Sequence, residues 1–89
     1  MNVSIYKVQA CCGKTSHILK TDAPLSKEHI DRLVASGYHE SEHFTKAGIL
    51  YVDNSEFILT GPIGQNRLTV KCKKQSCDMN VITTLLQSI

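Results

Sequence analysis

The chain has 89 residues, of which 42% are hydrophobic and 20% charged, and its formal net charge is +2. This length predicts one small domain spanning residues 1–89, and the composition is typical of a globular protein and does not favour a disordered chain. So small a net charge indicates nucleic-acid binding only if the cations cluster on one surface.

The first strand is predicted over residues 3–11, where the imperfect alternation of apolar residues indicates either a bulge or burial on both faces. Gly13 predicts a turn into a second strand over residues 15–21. A helix follows, with Ser26 as its N-cap and Gly37 as the first residue beyond its C-terminal cap. Its inward side chains are predicted to be Ile30, Leu33 and Val34.

A polar stretch separates this helix from three further strands, predicted over residues 48–52, 56–60 and 67–73. A closing helix is predicted from about Cys77, with Ser76 as its cap. Its inner side is predicted to carry Met79, Ile82, Leu85, Leu86 and Ile89. The order β-β-α-β-β-β-α predicts an α+β fold, a mostly antiparallel sheet with two helices.

Both faces of the middle strands are apolar, since neighbouring residues such as Leu50 and Tyr51 point in opposite directions. Two short helices on one face would leave the other face uncovered. Either the helices lie on opposite faces, or the second face contacts another protein or a second copy. We place this contact on the sheet face or edge and on the loop that follows. The predicted contact residues are Leu50, Val52, Phe57, Leu59, Gly61, Ile63, Gln65 and Asn66.

His39, Glu40, Ser41, Glu42 and His43 spell H-E-x-x-H, a pattern in which two histidines on one helix bind zinc. No apolar stripe of helical period surrounds the segment, and an extended chain would hold the two histidines about 13 Å apart. We therefore interpret the match as a coincidence and expect no catalytic site.

Four cysteines fall at the ends of predicted elements: Cys11, Cys12, Cys72 and Cys77. If the first and last strands are neighbours, these sulfurs gather at one edge of the sheet, with His17 across the hairpin. A structural zinc ion, a labile disulfide such as Cys72–Cys77 or Cys11–Cys72, and plain buried thiols are the alternatives. No other cofactor is expected.

Arg67, Lys71 and Lys73 share one face of the last predicted strand, and Lys74 follows them. This strip would suit a phosphate backbone, although a solvated strand face is the commoner explanation for such residues. The segment 61–64 spells a G-x-x-G sequence, but here it joins strands instead of helices.

The leading hypothesis is a small non-catalytic module that contacts another protein as an adaptor or an inhibitor, or that pairs as a homodimer. A nucleic-acid-binding domain and a small zinc or redox-sensitive cysteine protein are the alternatives. The chain contains no apolar run of about 18 residues and no signal-peptide pattern. We therefore expect a cytoplasmic location and no membrane partner.

Overall fold

The computed structural model describes residues 2–11, 14–73 and 78–88. The first half of the chain contains β1 (Val3–Cys11), β2 (Lys14–Thr21), α1 (Lys27–Ala35), β3 (His39–Glu40) and α2 (Glu42–Lys46). The second half contains β4 (Ile49–Asp53), β5 (Phe57–Pro62), β6 (Arg67–Cys72) and α3 (Met79–Gln87).

The strands form one antiparallel sheet in the order β1-β2-β6-β5-β4-β3. The predicted α+β class is therefore confirmed. Two short elements, β3 and α2, occupy the stretch that we had predicted to be a polar connector. A strand of two residues and a helix of five are too short to show an apolar period, which explains why the sequence does not reveal them.

The first hairpin contains the predicted irregularity. Ile5 pairs with Leu19 and Lys7 pairs with Ile18, so that Tyr6 is an extra residue in β1. This bulge explains the broken alternation of the first strand, because it places Ile5 and Val8 on the same face although they are three residues apart.

Helix α1 begins and ends as predicted and buries Ile30 and Leu33, but Val34, predicted to face inward, is exposed. Ser26 is its N-cap, and the Ser26 backbone N–H donates to Nδ1 of His29 at 3.1 Å. At the other end, Gly37 adopts a φ of 104° and the N–H of Tyr38 donates to the carbonyl of Leu33 at 3.1 Å. These two bonds satisfy backbone groups that a helix end otherwise leaves without partners.

Helix α3 begins later than predicted. Its N-cap is Asp78, whose side chain accepts from the N–H of Asn80 at 2.9 Å, and not Ser76. Ser76 and Cys77, where the sequence predicts the cap and the start of this helix, lie outside the described residues. The predicted inner residues Ile82 and Leu86 are buried, and Met79 and Leu85 pack partly buried beside them.

Both longer helices cover the same side of the sheet. Buried side chains of α1 and α3 form one core with alternate residues of β2, β4, β5 and β6. We call this side of the sheet the inner face. Among the described residues, no helix is long and apolar enough to cross a membrane.

The loop after β5 is fixed to the start of α1 by its backbone. The N–H of Leu25 donates to the carbonyl of Gln65 at 2.9 Å, and the N–H of Gly64 donates to the carbonyl of Leu25 at 2.8 Å. Asn66 adds a bond from its side chain to the carbonyl of Thr21 at 3.1 Å. This loop is therefore part of the scaffold that connects the sheet to α1.

Candidate functional site

The opposite side of the sheet, which we call the outer face, consists of the strand residues that alternate with the core. Neither α1 nor α3 contributes to it, and each of its residues with a described side chain is half-buried or exposed. Its members on the four middle strands are Ser16, Ile18, Lys20, Ile49, Tyr51, Asp53, Ile58, Thr60, Pro62, Arg67, Thr69 and Lys71.

An uncharged row crosses the outer face at right angles to the strands. Tyr51 pairs with Thr60, Thr60 with Thr69, and Thr69 with Ile18, so that the row spans β4, β5, β6 and β2. With neighbouring strands about 4.8 Å apart, the row is about 14 Å long. It offers hydroxyl groups at its centre and apolar surface at both ends.

Cations lie on both sides of this row. On one side Arg67 of β6 stands directly opposite Lys20 of β2, and both side chains are exposed. On the other side Lys71 stands between Ser16 and Ile58. Like charges directly opposite on neighbouring strands repel each other, so the Lys20–Arg67 pair costs stability.

The charge of this face is not balanced within the described part of the chain. Asp53 is the acidic residue at the outer positions of the middle strands, and it bonds to Nζ of Lys73 at 2.8 Å. Lys20, Arg67 and Lys71 have no ion pair with any described residue. Three positive charges therefore face solvent on a molecule whose formal net charge is only +2.

A shallow pocket of about 500 Å³ lies on the outer face and is lined by residues of β2, β4, β5 and β6. Arg67 supplies a guanidinium group at its rim, while Thr60 and Thr69 supply hydroxyls. The rest of the lining is apolar or backbone: Ile18, Ile49, Gly61 and Pro62. Such a combination suits a planar ring with polar edges better than a small charged ion.

Aromatic side chains stand at both ends of the outer face. The ring of Phe44 from α2 stacks on Tyr51 with centroids 4.7 Å apart and an angle of 14° between the planes. At the β1 end Tyr6 is 59% exposed, and Nζ of Lys20 lies 4.5 Å from its ring centroid. Helix α2 therefore shields one end, and Tyr6 leaves a ring exposed at the other.

The predicted protein-contact residues do not lie on this surface. Leu50, Val52, Phe57 and Leu59 are at most 1% exposed and belong to the core. The sequence pattern shows that both faces of these strands carry apolar side chains. It does not show which of the two faces the helices cover. The burial of these four side chains contradicts the prediction, and the apolar residues of β4 and β5 that α1 and α3 leave uncovered are Ile49, Tyr51 and Ile58 of the outer face.

The loop residues of that prediction also have structural roles. Gly61 is buried, and Ile63 packs against the core. Gln65 and Asn66 are exposed, but their backbone carbonyls accept bonds from Leu25 and Thr21. These bonds connect the loop to the end of β2 and to the segment before α1.

Two of the predicted nucleic-acid residues are confirmed to share one face of the last long strand. Arg67 and Lys71 are exposed on β6, and Lys73 follows them in its ion pair with Asp53. Lys74 lies outside the described residues. Lys20 was missed, because its place beside Arg67 depends on the pairing of β2 with β6, which no local pattern of the sequence indicates.

The H-E-x-x-H residues are divided between two elements. His39 and Glu40 form β3, Ser41 is the N-cap of α2, and His43 lies in α2. The zinc pattern requires both histidines on one helix, so this arrangement differs from it. No group of three or more potential metal ligands occurs among the described residues.

The cysteines lie mostly outside the described part of the chain. Cys72 is buried on the inner face and is disulfide-bonded. Nothing is described of Cys12, Cys77 or the side chain of Cys11. His17 lies on the inner face opposite Val70, and its Nδ1 is buried without a hydrogen-bond partner among the described residues. A disulfide sulfur is not a thiolate ligand, so this bond favours the disulfide alternative at Cys72, and zinc binding by the other cysteines stays a prediction.

Comparisons with protein-family models, with curated proteins and with solved structures find no match to this chain.

Proposed function

We propose that this protein is a non-catalytic binding module that holds single-stranded nucleic acid on the outer face of its sheet. The observation that carries the proposal is the pair formed by Lys20 and Arg67, directly opposite each other on neighbouring strands. A ligand of opposite charge would offset this repulsion, and departures from local stability rules are expected at functional sites. A phosphate group is such a ligand.

The position of β6 supports a functional reason for its cations. Lysines on a strand face commonly protect the edge of a sheet from pairing with other chains. However, β6 lies between β2 and β5, and β2 lies between β1 and β6, so neither strand is an edge. Edge protection therefore does not explain Lys20, Arg67 or Lys71.

The shape and chemistry of the outer face favour a single strand over a duplex. No helix or two-stranded ribbon projects from the described part of this face to enter a groove. Exposed bases would instead lie on the uncharged row and in the pocket beside Thr60 and Thr69, where contacts with hydroxyl groups and apolar side chains tolerate many sequences. Lys20, Arg67 and Lys71 would contact the phosphates on either side.

A protein partner is the competing occupant, and it would use the same face. Ile49 and Ile58 supply apolar surface, and an acidic peptide would satisfy the cations. We favour nucleic acid because the apolar residues are only partly exposed, whereas Lys20, Arg67 and Lys71 are exposed.

The test is a fluorescence anisotropy titration with labelled oligo-dT and oligo-U at two salt concentrations. Three phosphate contacts predict a slope of about −2 in a plot of log affinity against log salt, at about 0.7 per contact for single strands. Arg67→Gln should lower this slope by about 0.7 and weaken binding at low salt. Lys27→Gln is the matched control, because it removes the same charge from an exposed position at the start of α1.

Three results would count against nucleic acid. These are absence of binding at low salt, affinity that does not change with salt, or equal losses in the Arg67→Gln and Lys27→Gln variants. Binding to polyglutamate that exceeds binding to both oligonucleotides would instead assign the outer face to an acidic protein.

A further inference from the structure

Strand β1 forms one end of the sheet and exposes apolar side chains there. It has nine residues and pairs only with β2 among the described strands. Ile5 is 52% exposed and Val8 is 54% exposed, although both lie on the inner face that the helices cover elsewhere. A long edge with exposed apolar residues is a template for pairing with another strand.

Because of the bulge, the β1 edge can pair with the β1 edge of a second copy. An antiparallel pair of identical strands around a two-fold axis must place side chains of the same face opposite each other. In a regular strand Ile5 and Val8 would point to opposite faces and could not be partners. Because Tyr6 is the extra residue, Ile5 and Val8 share the inner face, and each can stand opposite the other in a second copy.

In the same register Tyr6 of one copy stands opposite Lys7 of the other. Both residues are exposed, and both lie within the bulge on the outer side of the strand. A lysine beside a tyrosine ring is a favourable cross-strand neighbour. Each residue from Ile5 to Val8 therefore stands opposite a residue of the second copy that lies on the same face and has compatible chemistry.

We propose that two copies of this chain pair through β1 in this register, joining two sheets of six strands into one continuous sheet. Ile5 and Val8 of both copies then form an apolar cluster on the inner face, next to the α3 helices. The two-fold axis that relates the copies is perpendicular to the sheet, so the outer faces of both copies lie on the same side of the joined sheet. A second copy fits this edge better than an unrelated strand because the register satisfies the two-fold symmetry.

The test is sedimentation equilibrium of the full chain without nucleic acid. A dimer should dissociate between about 1 mM and about 10 µM, since an interface made by one strand is small. Val8→Lys should shift the mass to that of the 9.9 kDa monomer throughout this range. Val34→Lys is the control, because Val34 is a similarly exposed valine (41%) on helix α1. Circular dichroism checks that both variants are folded.

A second measurement serves if Val8→Lys does not fold. In a mixture of isotope-labelled and unlabelled wild-type chains, methyl groups of Ile5 in one copy should show contacts with those of Val8 in the other. A monomer at about 1 mM, or a dimer without this contact, would refute the proposed pairing. Since no nucleic acid is present, neither result depends on the function of the outer face.

Discussion

Arg67 and Lys20 face each other across β6 and β2 with no described acidic side chain bonded to either. Replacing one of them should therefore stabilise the free protein. We expect Arg67→Thr to raise the free energy of unfolding by roughly 0.2 to 1 kcal/mol at low salt, because it removes the repulsion and adds a good strand former. Urea unfolding at low and high salt measures this.

Lys71→Thr is the matched control for this prediction. It makes the same kind of change on the same strand and face, but its partner on β2 is Ser16. Salt should narrow the difference between wild type and Arg67→Thr, since it screens exposed charges. Equal stabilisation by both substitutions would mean that strand propensity, and not repulsion, is responsible.

The hydroxyl of Tyr38 makes stability depend on pH in the alkaline range. Burial raises the pKa of Tyr38 above its ordinary value of 10.0, the negative charge of Glu56 raises it further, and a hydrogen bond with Asn54 acts in the opposite direction. The folded state thus holds the proton more tightly than the unfolded state. Its contribution to stability is complete below about pH 10 and is lost as the pH rises through the folded pKa.

Tyr38→Phe should remove part of this alkaline decline. Other tyrosines and lysines titrate in the same range, so the informative quantity is the difference in stability between the two proteins at each pH. This difference should be constant below about pH 9 and should shift in favour of the variant above about pH 10. Parallel curves at all pH values would contradict a raised pKa for Tyr38.

Gly61 lies where β5 passes close to the backbone of β6 and to Leu25, just before α1. A Cβ atom there would be 2.6 Å from the backbone oxygen of Arg67 and 2.6 Å from Cδ1 of Leu25. The leucine can rotate but the backbone cannot, so we expect Gly61→Ala to cost about 1 to 3 kcal/mol. Thermal unfolding should show a drop of several degrees per kcal/mol for a domain of this size.

The neighbouring substitution Thr60→Val tests whether this cost belongs to the close approach. Thr60 is on the outer face, half-buried, and Val is equally suited to a strand. We expect its melting temperature to stay within about 3 °C of the wild type, since a change of about 0.5 kcal/mol is typical at such positions. A comparable loss in both variants would indicate that this region of β5 tolerates no change.

The disulfide of Cys72 predicts the number of reactive thiols. One disulfide removes two of the four cysteines, so alkylation of the denatured chain without reductant should label two at most. Reduction should raise the count to four and lower the melting temperature, because the cross-link restricts the unfolded chain. Intact mass spectrometry after an acid quench gives the count.

Four labels before reduction would show that the thiols are free, and native mass spectrometry would then distinguish zinc from unligated thiols. A bound zinc ion would add its mass and disappear with chelator. The result also bears on location, since disulfides persist mainly in oxidising compartments. The cytoplasmic location stays a prediction that a stable disulfide would weaken.

Much of the fold could be predicted because local signals agree with it. Ser26, Gly37 and the alternation of β6 mark their elements through hydrogen bonds and burial that act within a few residues. The start of α3 was misplaced because two good caps, Ser76 and Asp78, stand close together. Asp78 is the residue that accepts from the helix.

The candidate site was less predictable because it depends on which strands are neighbours. The strip of Arg67 and Lys71 is visible in the sequence, but Lys20 lies 47 positions away from Arg67 and joins it only through the order of the sheet. In the same way, the period of two in β4 and β5 divides their residues into two sets but does not identify the set that α1 and α3 cover. The residues predicted to stay uncovered, Leu50, Val52, Phe57 and Leu59, are therefore the ones that the helices bury.

The β3 end of the sheet, opposite β1, limits the size of any assembly that forms by strand pairing. There the terminal strand, β3, has only two residues and is followed at once by α2, so it offers almost no backbone to an incoming chain. In two copies joined at β1, the strand at each end of the joined sheet would be β3. Growth by strand addition would stop after a single pairing, so concentrated solutions should contain closed pairs and no fibres.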